Sequence, residues 1–197
     1  LSNEILVLDT TAPPGQPRLG TISTGMSTSF KFSGSSVVGT KIVFPPYNAD
    51  CIGILDTTAN AGAGAFSTFS LQAIGDGDCK FRGSAVVGNK VYFAPYYADV
   101  VGVFDIEANG GQGAFQTISL DVKFYGKIFK FIDAVAVRDK VYFVPSCAGA
   151  VGVVHTRANE GAGTFTVLND KVCFSFSGAV VVKNKIYFSP AYSTSMG

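Results

Sequence analysis

An all-β chain of repeated four-stranded units, a β-propeller, is the fold class this sequence predicts, and three observations predict it. The segment Lys80 to Tyr96 has close copies at Lys31 to Tyr47, Lys130 to Pro145 and Ser175 to Pro190. The prolines that end the copies, Pro46, Pro95, Pro145 and Pro190, recur 49, 50 and 45 residues apart, a period that signals a propeller or a solenoid. The apolar runs are short and consecutive rather than alternating, so both faces of each strand are to be covered, as in a sheet stacked between two others. No segment carries a capped helical stripe.

The chain opens inside a unit. Asn3 to Asp9 aligns with Asp50 to Asp56 and Asp99 to Asp105, so it reads as a third strand. Thr10 to Arg18 holds three of the eight prolines, which lack the donor a ladder needs and favour an extended loop. Leu19 to Ser23 then supplies a fourth strand, closing a partial blade over 1–23.

Full repeats are expected at about 31–71, 80–120 and 130–168. In each, a first strand such as 34–38 turns through two residues, Gly39-Thr40, Gly88-Asn89 or Arg138-Asp139, a hairpin signal because tight turns there need positive φ. The second strand, Lys-Ile/Val-Val/Tyr-Phe, is stopped by proline. The third is Ile52 to Leu55, Val101 to Phe104 or Val151 to Val154. The fourth follows a glycine-rich loop, as Phe66 to Leu71, Phe115 to Leu120 and Phe165 to Leu168.

The last copy, a partial blade over 174–197, turns at Lys183-Asn184 and stops after its second strand. Two readings of the single domain 1–197 stay open at this point. The two ends complete one blade, the closure propellers use to leave only short edges, giving four blades; or the chain is part of a larger propeller.

Composition narrows the function classes. Hydrophobic residues make up 47% and charged residues 15% of 197, with a net charge of +1. That balance gives no field for nucleic acid or an anionic membrane. No apolar run approaches the roughly 18 residues of a membrane span. Cys51, Cys79, Cys147 and Cys173 lack C-x-x-C spacing; buried free thiols are expected, with one or two disulfides as the alternative. The compartment stays unassigned.

The run Ser84 to Phe93, followed by Val101-Gly102-Val103-Phe104-Asp105 and an aromatic at Phe115, resembles the kelch family of propeller repeats. Kelch units pair a similar hydrophobic strand with a diglycine, a Tyr-Asp turn and a Trp. Here the diglycine position reads Pro45-Pro46, Ala94-Pro95, Val144-Pro145 or Ser189-Pro190, and the Trp position is Phe66, Phe115 or Phe165. The resemblance implies the fold; kelch-like propellers include scaffolds, adaptors and enzymes, so it implies no activity.

With the first strand nearest the axis, the loops that lead into it and those joining second to third strand open on one face. That face collects Lys31, Lys80 and Lys130, Tyr47, Tyr96, Tyr97 and Tyr192, and Asp50 and Asp99. Tyrosine offers an apolar ring and a hydroxyl, so a protein loop, a glycan or a small acidic ligand would fit there. The structural alternative puts each Lys in solvent and the following Phe in the core.

The loops at 59–65, 108–114 and 158–164 look superficially like phosphate-cradling glycine motifs, but no helix follows and no Gly-Lys-Ser/Thr occurs. Hairpin connections at positive φ explain them. Asp9, Asp56 and Asp105 share one repeat position with His155 and are expected to cap their own turns. Asp50 and Asp99 face Gly149 and Ser195 in the other copies, so no metal site is expected, and no catalytic residue or cofactor is assigned. The function expected is a non-catalytic binding or assembly propeller engaging a protein partner through one face. The alternatives are a lectin-like or small-ligand propeller and a propeller-type enzyme such as a lyase, lactonase or oxidase.

Overall fold

The structure, a computed structural model, describes residues 3–71, 77–121, 124, 129–168, 172 and 174–193. Sixteen strands form five antiparallel sheets, each an up-and-down meander. β1 (Glu4–Leu8) and β2 (Leu19–Ser23) make the first. β3 (Ser36–Val38), β4 (Lys41–Phe44), β5 (Cys51–Asp56) and β6 (Ala65–Ser70) make the second.

The third holds β7 (Phe81–Val87), β8 (Lys90–Pro95), β9 (Val100–Asp105) and β10 (Ala114–Ser119). The fourth holds β11 (Phe131–Val137), β12 (Lys140–Pro145), β13 (Gly152–His155) and β14 (Thr164–Val167). β15 (Phe174–Val182) and β16 (Lys185–Ser193) make the fifth. Among the described residues helical geometry is confined to single turns in the glycine-rich loops, at Asn60–Gly62, Ala108–Gly111 and Asn159–Gly161.

The fold is a β-propeller. Successive sheets stack with first strand against first strand, and the backbone of one reaches the next: Gly83 N–H donates to Ser33 O at 3.1 Å. The four-bladed closure is not the pairing observed. β1 pairs with β2 and β16 with β15, and no described residue of one terminal sheet joins the ladder of the other.

Each complete blade is built on one packing device. Phenylalanines from its second and fourth strands, and from the start of the first strand or the residues leading into it, meet over a glycine of the third. Phe131, Phe143 and Phe165 sit with ring centroids 5.6 to 6.2 Å apart, over Gly152, where an added Cβ would lie 2.7 Å from Phe165. Phe81, Phe93 and Phe115 over Gly102, and Phe32, Phe44 and Phe66 over Gly53, repeat it. Full burial of such a ring stabilises by roughly 1.5–3 kcal/mol, and Phe81, Phe93, Phe131 and Phe143 are fully buried. The consecutive apolar runs follow from this two-sided burial.

The two-residue hairpins form as the spacing predicts, their first residue at positive φ: Gly39, Gly88, Arg138 and Lys183. The glycine-rich loops likewise use positive φ at Asn60, Asn109 and Asn159, and the Asn60 and Asn109 amides close them by donating to Gly64 O and Gly113 O.

Candidate functional site: an aromatic and basic loop face

The loops before each first strand and those joining second to third strand share one end of the blades. Tyr47 N–H donates to Lys31 O, Tyr96 N–H to Lys80 O and Ser146 N–H to Lys130 O, all near 2.9–3.0 Å. The residue just before each lysine, Phe30, Cys79 or Phe129, sits at φ between 48° and 62°. That left-handed conformation is uncommon for bulky side chains and costs free energy. It reverses the chain so that the carbonyls of these residues accept N–H donors from Asn48, Tyr97 and Cys147.

The three lysines are buried rather than solvated: Lys31, Lys80 and Lys130 expose 8, 7 and 3% of their surface. Each reaches back to the blade before it. Lys80 Nζ lies 3.1 Å from Asp50 and Lys130 Nζ 3.0 Å from Asp99. Lys130 Nζ also donates to the carbonyls of Tyr97 and Ala98, and Lys80 Nζ to that of Ala49. Lys31 Nζ donates to Asn3 Oδ1 at 2.9 Å. The backbone N–H groups of Lys80 and Lys130 add bonds to Tyr47 O and Tyr96 O. Each of these two lysines therefore staples its blade to the loop of the preceding one, while Asp50 and Asp99 stay in water, 92 and 91% exposed.

Beside the staples the tyrosines gather. Tyr47 and Tyr96 have centroids 6.1 Å apart, Tyr96 and Tyr97 5.5 Å, and Phe129 lies 5.1 Å from Tyr96 and 5.2 Å from Tyr97. The Arg82 guanidinium stands 5.3 Å above the Tyr96 ring and donates to its hydroxyl at 3.4 Å, a cation–π pair. No described carboxylate is ion-paired with it. Burial, then the neighbouring Cys79 thiol, pushes the Tyr47 hydroxyl up to about 12. Tyr96 is nearly covered, whereas Tyr47, Tyr97, Phe129 and Arg82 are half-exposed and form the accessible surface.

Of the residues expected on this face, Tyr47, Tyr96, Tyr97, Lys80, Lys130, Asp50 and Asp99 are brought together, with the lysines and aspartates engaged between blades. Lys31 lies beside a cleft of about 250 Å³ lined also by Glu4, Ile5, Phe30 and Phe44. Tyr192 lies in β16 opposite Ser175; its side chain is outside the described residues.

Sequence reasoning missed Arg82, Phe129 and Asp133. Arg82 and Asp133 were signalled by departures from their repeat positions, whereas Phe129 repeats Phe30 and Phe174. Arg82 stands where the other copies have Ser33, Ile132 and Ser177, and Asp133 where they have Gly34, Gly83 and Gly178. The Asp133 carboxylate accepts N–H donors from Ala134 and, across the blade junction, from Ala179, while burial, the largest effect, raises its pKa.

The remaining expectations fall elsewhere. Asp9 and Asp56 each accept the N–H and hydroxyl of the threonine two residues on, which holds both carboxyls below their ordinary range. His155, paired with Thr166 at 3.1 Å, ends β13 at the opposite end of the blade. Cys51 and Cys79 are half-buried free thiols and Cys147 is exposed, which corrects the expectation of buried thiols, since the first residue of β5 and two loops rather than the core carry them. Cys173 is outside the described residues. Among the described residues no group of three or more His, Cys, Asp or Glu is placed to hold a metal, and no helix is long and apolar enough to cross a membrane.

Comparison with solved structures agrees on the fold. A streptogramin B lyase matches 95% of this chain with a TM-score of 0.68 at 18% identity. A catalytically inactive virginiamycin B lyase from Staphylococcus aureus, solved with quinupristin, matches 95% with a TM-score of 0.50 at 12% identity. At these identities the likeness is one of fold. The chain spans 55% of the streptogramin B lyase and 77% of the second lyase. No protein-family model and no curated protein matches the sequence.

Proposed function

We infer that the chain is a binding propeller of kelch-like repeat pattern, non-catalytic, that engages a protein partner through the face around Tyr97, Phe129, Tyr47 and Arg82. The observation that carries this reading is the aromatic cluster itself: four rings and an arginine packed at one end of adjacent blades, on loops fixed by buried lysines. Tyr and Arg are the residues that dominate protein interfaces, because rigid rings lose little entropy on binding. Holding the loops in place before binding lowers that cost further.

Arg82 favours a second reading. An arginine stacked on tyrosine and without an ion-paired carboxylate among the described residues suits an anionic group, so a small acidic ligand remains the alternative. The propeller lyases are enzymes, but the likeness to them extends to fold.

Peptide-library selection on the wild-type chain, counter-selected on a Tyr97→Ala, Arg82→Ala double variant, tests the reading. The expected result is enriched peptides whose affinity falls at least about 30-fold in the double variant, the effect of losing one interface hot spot of about 2 kcal/mol. Peptides that bind the variant equally well would overturn the choice of face. Retention of small carboxylates or acidic glycans by the wild type alone, with no peptide enriched, would favour the second reading.

A further inference from the structure

One copy of the repeat departs from the others in its second strand. That strand reads Lys-Val-Tyr-Phe from Lys90 and from Lys140 and Lys-Ile-Tyr-Phe from Lys185, but Lys-Ile-Val-Phe from Lys41, so Val43 stands where the others have tyrosine. In the sheet of β7–β10 that tyrosine, Tyr92, is 2% exposed, and its hydroxyl meets Thr156 of the next sheet. Lys90 donates to Gly161 O in the glycine-rich loop of the next sheet at 3.1 Å. The end of Ile118 packs against the same loop, 2.9 Å from where a Cβ on Gly163 would lie. That junction is shut.

Between the sheets of β3–β6 and β7–β10 each of these parts has changed. Ile106 stands at the Thr156 position, so the hydroxyl partner is gone together with the tyrosine. Phe104, at the Val154 position, fills the inner part of the space and lies over Gly113. Phe69, at the Ile118 position, packs on Phe104 with centroids 5.1 Å apart. Lys41 makes no bond like that of Lys90: among the described residues its ammonium has no hydrogen-bond partner. What remains is a cleft of about 360 Å³ between two complete blades, at the lower end of the range for ligand sites.

The floor of this cleft is apolar, made by Ile54, Phe69, Phe104 and Ile106, and its rim is polar. Lys41 and Asp56 are cross-strand neighbours on that rim, Ser67 lies opposite Ile54, and Gln112 takes the place of Ala63 and Ala162 in the other loops. Among the described residues the Gln112 amide and the Ser67 hydroxyl have no hydrogen-bond partner either. Asp56 accepts from Thr58 through Oδ1 and has acceptor capacity left. The ammonium and the carboxylate side by side cancel in net charge, so the rim favours no ion of either sign. It offers donors and acceptors in turn above an aromatic floor.

We propose that this cleft binds a neutral saccharide, a mono- or disaccharide unit. Such a ring has hydroxyls on its edge that both donate and accept, and a C–H face that lies on apolar surface; few other small molecules pair those two properties without a charge. The saccharide face would rest on Phe69 while its hydroxyls meet Lys41, Asp56 and Gln112. The cleft opens at the hairpin end of the blades, opposite the tyrosines, and shares no residue with them. It therefore stands apart from the partner face.

Saturation-transfer NMR of the 197-residue chain with a panel of free neutral mono- and disaccharides tests this. The expected result is transfer to at least one of them, abolished when Val43→Tyr, Phe104→Val and Ile106→Thr together install the residues of the shut junction. Gln112→Ala should weaken binding about 10-fold, the effect of one lost hydrogen bond. Gln112 is an exposed loop residue, so this variant reads the site even where the triple variant fails to fold, and it should leave peptide binding at the tyrosine face unchanged. The same sugars as glycan termini on an array separate a free saccharide from a chain-borne one, and retention of either supports the site. No transfer to any neutral sugar at millimolar concentration would overturn the proposal. So would binding undiminished in both variants, or a preference for acidic sugars, which would make the cleft an anion site.

Discussion

Two neighbouring blade junctions are held by different chemistry. Between the sheets of β7–β10 and β11–β14, Lys130 reaches back to Asp99 and the carbonyls beside it. At the next junction the lysine position is Ser175 and the aspartate position is Gly149, which sits at φ +71°. Both partners are gone together, and the loop backbone has changed with them. There the contact comes from Asp133, whose carboxylate takes the place of an inner-strand glycine and accepts the Ala179 N–H. The difference teaches that the location of a junction's polar tie along the blade is negotiable. A lysine left without its loop partners would be a buried charge with nothing to offset it.

Substitutions that break the comparison are ordered by expected size. Gly83→Ala is the most damaging. At φ +72° a Cβ would lie 2.5 Å from Asp133 Oδ1 and 2.7 Å from its Cα, so strain and a backbone clash together should cost about 2–4 kcal/mol by denaturant unfolding. Lys130→Met should follow at about 1.5–3 kcal/mol, the scale of a charged hydrogen-bonding group. Most of the loss should persist at high salt, because the buried Nζ also donates to the carbonyls of Tyr97 and Ala98, and only the share carried by the exposed Asp99 is screened.

Asp133→Asn sharpens the contrast through pH. One acceptor becomes a donor facing an N–H, so about 1–2 kcal/mol is expected to be lost near neutrality. Because burial raises the folded-state pKa of Asp133 above the ordinary 3.8, the wild type binds its proton more readily when folded. The stability tied to that proton is fully present below about 4 and is lost as pH rises through the raised value. Unfolding curves of wild type and variant should therefore diverge with acidification in favour of the wild type.

On the aromatic face, Tyr47, pushed up to about 12, should ionise well above the ordinary tyrosine value in an ultraviolet titration, a late step that Tyr47→Phe removes. Its stabilising effect persists up to about pH 10, the ordinary tyrosine value, and fades as pH climbs toward 12. The smallest effect is at the last hairpin. Lys183→Gly relieves a non-glycine residue at φ 57° and should stabilise by about 0.5–1 kcal/mol, since the left-handed penalty outweighs the added chain entropy.

The repeat made the architecture legible. Period, proline stops and hairpin pairs located most strands to within one or two residues, because each signal is local and occurs three or four times; β16 is the exception, running through Pro190 to Ser193 where a proline stop was expected. Closure was not legible, since pairing between distant ends depends on the angle between sheets, which no local signal encodes. At the site, the tyrosines were found because they recur. Arg82 and Asp133 were missed because each occurs once, and a repeat read for its consensus discards such residues. The lysines were located but placed in solvent: burial came from carbonyls and carboxylates of the preceding unit, a relation across sheets that spacing along the chain does not carry.

The staples have a further consequence for any ligand of the aromatic face. Lys80 and Lys130 fix the loops that carry Tyr47, Tyr96 and Tyr97, while their carboxylate partners stand in water, where dissolved ions compete with them. Ionic strength thus acts on the spacing of the rings as well as on the ligand. Even an uncharged partner would be held with an affinity that depends on salt, transmitted through the scaffold rather than through its own charge.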